Sequence, residues 1–136
     1  MQPIEDIRRF IAEEFPQSGV FVDKLKPRGA RVRQEVEFAH LRPGGTVAGP
    51  VLVHVADVAA YIAILNEIGI VPLVYSTNIQ INFLRLPSAD RALIAEAELL
   101  KVGKRLVVAD VRLFSEGQNE PVAQASGTYS IPPMDS

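Results

Sequence analysis

The chain reads as an α+β protein in which a curved antiparallel sheet encloses one long helix, with a short helix at the N-terminus. Three observations predict this. Residues 49–69, GPVLVHVADVAAYIAILNEIG, are apolar on nearly every side of a helix, and such a helix belongs inside a core. Four later segments alternate in polarity at the period of strands with one buried face. Short turns between successive strands imply antiparallel neighbours. A helix apolar all round must be covered all round. A single curved sheet covers most of it, and a second copy of the chain covers the remainder.

The elements follow in order. Ile4, Ile7, Phe10, Ile11 and Phe15 recur at helical spacing and Pro16 ends the pattern, giving an amphipathic helix that lies on something larger. Residues 20–25 and 30–38 are extended segments about the Pro27-Arg28-Gly29 turn. The second alternates apolar and charged residues, as a half-exposed strand does. Residues 40–49, HLRPGGTVAG, form a Gly- and Pro-rich loop. Pro50 suits the first position of the long helix, where a missing N–H is harmless, with Gly49 as N-cap and Gly69 as C′. The helix is about 27–30 Å long.

Residues 74–86 place Thr77, Ile79, Ile81 and Phe83 on one face and Asn78, Gln80 and Asn82 on the other. Residues 92–102 align Leu93, Ala95, Ala97 and Leu99, and residues 105–114 align Val107, Ala109, Val111 and Leu113, with a tight turn at Gly103-Lys104. A polar turn at 116–119 leads to the last strand, 122–131. No linker, repeat or low-complexity stretch divides the chain. A single domain over 1–136 is expected, with the N-terminal helix in 1–18 and the core in 19–132.

A chain of 136 residues can bury a core without disulfides or metals. Its net charge of −2 argues against nucleic-acid or anionic-membrane partners. The absence of cysteine removes disulfides, zinc thiolates and thiol catalysis, and fits a reducing compartment. No His, Asp or Glu spacing suggests a metal site. The N-terminus has early acidic residues and no apolar h-region of a signal peptide. The most apolar run, 51–65, is shorter than the roughly 20 residues of a membrane span and holds Asp57 near its middle. A soluble, cytoplasmic protein is expected.

His54, Asp57 and Tyr61 are the polar residues that need explaining. At i, i+3 and i+7 they form one narrow stripe on the long helix. A carboxylate in a core is costly unless something pairs with it or uses it. His54 is within reach of Asp57 by its i,i+3 spacing, and Tyr61 suits a dimer contact or a pocket wall.

From about residue 19 to 131 the chain resembles the hot-dog fold proteins, and within them the PaaI-like acyl-CoA thioesterases. That group opens its helix with His-Gly-Gly and places an acid nine residues after the His. Gly49 matches the first Gly and Asp57 the acid, while Ala48 replaces the His and Pro50 the second Gly. VADVA resembles the group's Leu-Ala-Asp-x-Ala. TNIQINFLRLP resembles the strand after the helix, and LLKVGKRLVVADVRLF and PVAQASGTYSIP the closing hairpin and last strand.

The resemblance implies hydrolysis of a small or medium acyl or aryl thioester. Asp57 would be general base or nucleophile, and the Gly49 N–H at the helix N-terminus would polarise the carbonyl, helped by Ala48 or Val51. Thr77 and Asn78 would position water or Asp57, with His54 in support. Arg85, Lys101, Lys104 and Arg105 would meet the phosphates of coenzyme A, which enters as substrate; no resident cofactor is implied. Ala59, Ala60 and Ala63 would leave room for the acyl group. The resembled enzymes work as homodimers with the site between subunits, and pairs of dimers are common among them. Two alternatives stand beside this reading. One is a non-catalytic acyl-CoA or lipid-binding hot-dog protein, motivated by Ala48 and Pro50. The other is a hot-dog hydratase or dehydratase, in whose register His40 falls on the catalytic His and His54 on the acid.

Overall fold

In the computed structural model, which describes residues 1–133, the chain runs α1 (Ile4–Glu14), β1 (Val20–Lys26), β2 (Gly29–Gln34), β3 (Leu41–Arg42), β4 (Thr46–Val47), α2 (Gly49–Ile68), β5 (Tyr75–Phe83), β6 (Leu93–Val102), β7 (Leu106–Ser115) and β8 (Ala123–Ser130). Single 3₁₀ turns occupy Pro16–Ser18 and Phe38–His40. Residues 134–136, part of the domain expected over 1–136, lie outside the described residues. Six strands form one antiparallel sheet in the order β1-β2-β6-β7-β8-β5, and β3 pairs only with β4.

The sheet curves around α2, which is long and apolar enough to cross a membrane by length and composition and is instead the core helix. Rich in Val and Ile, α2 has modest intrinsic helix propensity, so packing rather than propensity holds it. Leu52, Ile62, Ile64 and Leu65 are fully buried, each contributing roughly 1.5–3 kcal/mol. The facing strands present small residues: Ala95 and Ala97 on β6, Ala109 on β7, Ala123 and Ala125 on β8. Ala59, Ala60 and Ala63 of α2 are also fully buried. These alanines let helix and sheet approach closely, and they do not line the cleft described below.

The strand faces expected for residues 92–102 and 105–114 are the buried ones. Differences lie at the ends. The segment expected over 30–38 stops at Gln34, because Val20 of β1 and Leu93 of β6, its partners there, are the first residues of their own strands. The strand expected to Leu86 stops at Phe83, opposite the first residue of β8; beyond it the Leu84 and Arg85 N–H groups both donate to the Val122 carbonyl. The loop at 40–49 contains the small β3–β4 hairpin. Helix α2 starts one residue early, with Ala48 as N-cap, Gly49 as its first residue and Pro50 as its second, and Gly69 is the C-cap.

Asn66, on α2, is buried and fully used. It accepts from the Gln2 N–H at 3.0 Å and donates to the carbonyls of Lys26 at 2.8 Å and Gly29 at 3.3 Å. One side chain thus ties the N-terminus and the β1–β2 turn to the central helix. The two sheet edges differ. On β1, Arg8 Nε donates to the Val22 carbonyl at 2.9 Å, its guanidinium lies 4.7 Å from the Phe21 ring centroid, and the register shifts at Asp23. Such bulges and charges blunt an edge. The β5 edge carries no comparable cap among the described residues, and exposed Tyr75, Phe83, Leu84 and Leu86 lie along or just beyond it.

Candidate active site

Asp57 lies at the floor of a cleft of about 390 Å³ between α1, α2 and the start of β5. All three tyrosines of the chain and two of its six phenylalanines line this cleft, so its walls are aromatic around one carboxylate. Tyr129, on the inner face of β8, donates its hydroxyl to Asp57 Oδ1 at 2.8 Å. Burial, then the charge of Asp57 and this hydrogen bond, push the Tyr129 phenol far above its ordinary range, so it remains a donor. The Tyr61 hydroxyl donates to the Pro72 carbonyl at 2.9 Å. Its ring meets Phe10 and Phe15 at centroid distances of 6.5 and 6.4 Å, and burial raises its pKa. Tyr61 is therefore a cleft wall built jointly with α1.

His54 does not support Asp57. Its Nε2 stands 2.7 Å from the Ser18 carbonyl, which makes Nε2 the protonated nitrogen. The ring anchors the connection between α1 and β1 instead. His40 Nδ1 accepts the Glu37 N–H at 2.9 Å within a reciprocal cap of the 3₁₀ turn. Both histidines of the hydratase register are thus committed to backbone groups.

Gly49 opens α2. The Ala48 N–H donates to the His40 carbonyl at 2.9 Å, the Val51 N–H donates to the Ala48 carbonyl at 3.0 Å, and Pro50 has no N–H. Among the described residues Gly49 alone at this opening offers a free donor, aligned with the positive end of the helix dipole. The help expected from Ala48 or Val51 is spent inside the fold. A Cβ at Gly49 would stand 3.3 Å from Phe83 Cζ, so that ring covers the glycine. Gly49 and Asp57 are eight residues apart, about 12 Å along the axis.

Thr77 and Asn78 do not reach the cleft. The β5–β8 register shifts between Ser76 and Asn78, and a bulge of this kind reverses which residues face inward. Thr77 Oγ1 donates to the Thr128 carbonyl at 3.2 Å, Asn78 sits opposite Thr128, and both are exposed. Ser76 lines the cleft in their place. The four expected phosphate contacts also divide. Lys101, Lys104 and Arg105 are exposed about the β6–β7 turn, at the end of β8 where Leu106 pairs with Ser130. Arg85 lies beyond the other end of β8, roughly 23 Å away, held by Glu120 at 3.0 Å and by the Pro121 carbonyl at 2.7 Å. Among the described residues no three His, Asp or Glu side chains come together.

Tyr129, Ser76, Phe10 and Phe15 were not legible as site residues. For Tyr129 a signal existed: a lone hydroxyl on the otherwise Ala- and Gly-lined inner face of the last strand needs a partner.

A long helix wrapped by this sheet defines the hot-dog class. Residues 44–122 match the family model described as thioesterase superfamily. The chain belongs to that superfamily, and the enzyme class this defines is a thioester hydrolase. It is similar to a candidate thioesterase from Silicibacter sp. TM1040, with 41% identity, 96% of this chain and 92% of that one covered, and a TM-score of 0.88. The Escherichia coli PaaI protein of the phenylacetic acid degradation operon shares the fold, at 21% identity, 96% and 94% coverage and a TM-score of 0.84. So does a hypothetical thioesterase from Streptococcus pneumoniae TIGR4 solved with coenzyme A, at 19% identity, 98% and 100% coverage and a TM-score of 0.77. No curated protein matches the chain in sequence.

Proposed function

We propose that this protein is a cytoplasmic acyl-CoA thioesterase acting on a small or medium acyl or aryl thioester, at sites assembled between two copies of the chain. The observation that carries the reading is the Asp57 carboxylate, held by Tyr129 and open to an aromatic cleft, in a chain of the thioesterase superfamily. Coenzyme A enters as part of the substrate, as the coenzyme A bound in the pneumococcal relative supports, and no resident cofactor is called for. The exposed Lys101, Lys104 and Arg105 offer point and bidentate contacts to its phosphates.

Distance along the helix supports two subunits. One thioester carbonyl cannot touch a donor and a base about 12 Å apart. The uncapped β5 edge suits antiparallel pairing with a second copy about a two-fold axis. Asp57 lies near the start of β5 and Gly49 near its end, so that pairing brings Gly49 of one copy toward Asp57 of the partner subunit. It also carries Arg85 toward the cation-bearing end of the other copy. A pair of such dimers extends the same scheme.

With Asp57 as general base, its free Oδ2 takes a proton from water as the water oxygen bonds to the carbonyl carbon. The electron pair of the C=O bond moves to the oxygen, which the Gly49 N–H receives. Collapse of the tetrahedral intermediate breaks the C–S bond, and Asp57 passes the proton it took from water to the departing thiolate. With Asp57 as nucleophile, the carboxylate oxygen bonds to carbon, thiolate leaves, and water hydrolyses the mixed anhydride. The test is a panel of acyl-CoA substrates with a thiol-detecting reagent. Turnover that Asp57→Asn abolishes while ligand binding persists is the expected result. Tight binding with no turnover on any acyl-CoA would favour the non-catalytic reading.

A further inference from the structure

We infer that Tyr129 is the positioning residue for Asp57, and that Gly127 is glycine to make room for it. This rests on the reading of Asp57 as the reacting acid. The inner face of β8 is Ala123, Ala125, Gly127 and Tyr129, so one large side chain stands on an otherwise small-residue face. Its hydroxyl is inside the fold, where a phenol without a partner is costly, and its close partner is Asp57 Oδ1 at 2.8 Å. The Asp57 backbone carbonyl is more distant, at 3.5 Å.

Gly127 explains how the ring reaches that place. A Cβ at Gly127 would stand 2.7 Å from Tyr129 Cε1 and 3.3 Å from its hydroxyl oxygen. The ring therefore leans back along the strand over residue 127. Gly127 has no positive φ, so its backbone does not demand glycine, and glycine inside a strand weakens it. What glycine supplies here is space for the ring.

The consequence falls on the carboxylate. Tyr129 holds Oδ1 of a carboxylate that lines the cleft, and among the described residues Oδ2 has no hydrogen-bond partner. The other titratable groups facing that cleft are Glu14 of α1, Tyr61 of α2 and Tyr75 of β5. Tyr61 gives its hydroxyl to Pro72 and His54 is turned to Ser18. Tyr129 is the side chain that holds Asp57 among the described residues.

Tyr129→Phe keeps the ring and removes the donor. A hydrogen bond to a charged group is strong enough that kcat should fall about 10-fold or more, with KM within about twofold because no substrate contact is lost. In an Asp57→Asn background the same substitution should change the residual rate little, since its effect runs through Asp57. Gly127→Ala should lower kcat in the same direction by displacing the ring. Thermal melts of each variant separate loss of fold from loss of function. A Tyr129→Phe enzyme with wild-type kcat, alongside an inactive Asp57→Asn, would overturn the inference and leave the proposed function standing. An Asp57 side chain labelled with carboxyl ¹³C keeps the question answerable whatever the turnover. Its carboxyl resonance should move in Tyr129→Phe as the hydrogen bond to Oδ1 is lost, and an unmoved resonance refutes the role.

Discussion

If Gly49 and Asp57 act on one carbonyl across a two-fold axis, two inactive variants should repair each other when mixed. Gly49→Pro removes the one free N–H at the opening of α2 and keeps a residue that suits a first helical turn. Its new atoms meet Phe83, since a Cβ at residue 49 would stand 3.3 Å from that ring, but Phe83 is 55% exposed and can turn aside. Loss of one such donor costs about 10²–10³ in kcat, roughly 3–4 kcal/mol. Asp57→Asn removes the base. In a mixed dimer one site combines the intact Gly49 of one chain with the intact Asp57 of the other, and the second site carries both lesions. Random subunit exchange makes half the dimers mixed, so about a quarter of wild-type activity should return. The assay is thiol release from acyl-CoA before and after exchange of the two purified variants. Activity no higher than the two pure variants averaged, in a sample where native mass spectrometry detects mixed dimers, would refute the two-chain site.

Other outcomes follow from the same structure. Asn66→Ala leaves the Gln2 N–H and the Lys26 and Gly29 carbonyls without their partner; unfolding in denaturant should show a loss of about 2–3 kcal/mol, with kcat unchanged in the folded fraction. Replacing Lys101, Lys104 and Arg105 by Gln should raise KM for acyl-CoA more at low salt than at high salt. It should leave KM for the matching acyl-pantetheine, which lacks the nucleotide phosphates, unchanged; an equal rise for both substrates would remove these side chains from phosphate binding.

The architecture was legible because its signals are strong. An all-round apolar helix has few places to go, and the apolar faces from Leu93 to Leu99 on β6 and from Val107 to Leu113 on β7 recur at every second residue. The site was legible only along the helix. Asp57 stands out as a carboxylate on an apolar helix and the family resemblance pairs it with Gly49, but the groups that contact them come from elements whose positions no local pattern encodes. The bulge between Ser76 and Asn78 exchanged Thr77 for Ser76 as a cleft residue, and a bulge leaves the polarity pattern almost unchanged. His54 faces Asp57 by helical arithmetic, yet the α1–β1 connection captured its ring through the Ser18 carbonyl. Arg85 looked like one of four cations until strand order carried it to the opposite end of the sheet.

In the proposed site the Gly49 N–H and an Asp57 from another chain address the same thioester carbonyl. A crystal structure of Asp57→Asn with an intact acyl-CoA bound tests it directly. The thioester oxygen should lie within hydrogen-bond distance of the Gly49 N–H of one subunit, with residue 57 of the partner subunit facing the carbonyl carbon. A carbonyl bound away from Gly49, or one that meets residues 49 and 57 of the same chain, would contradict it.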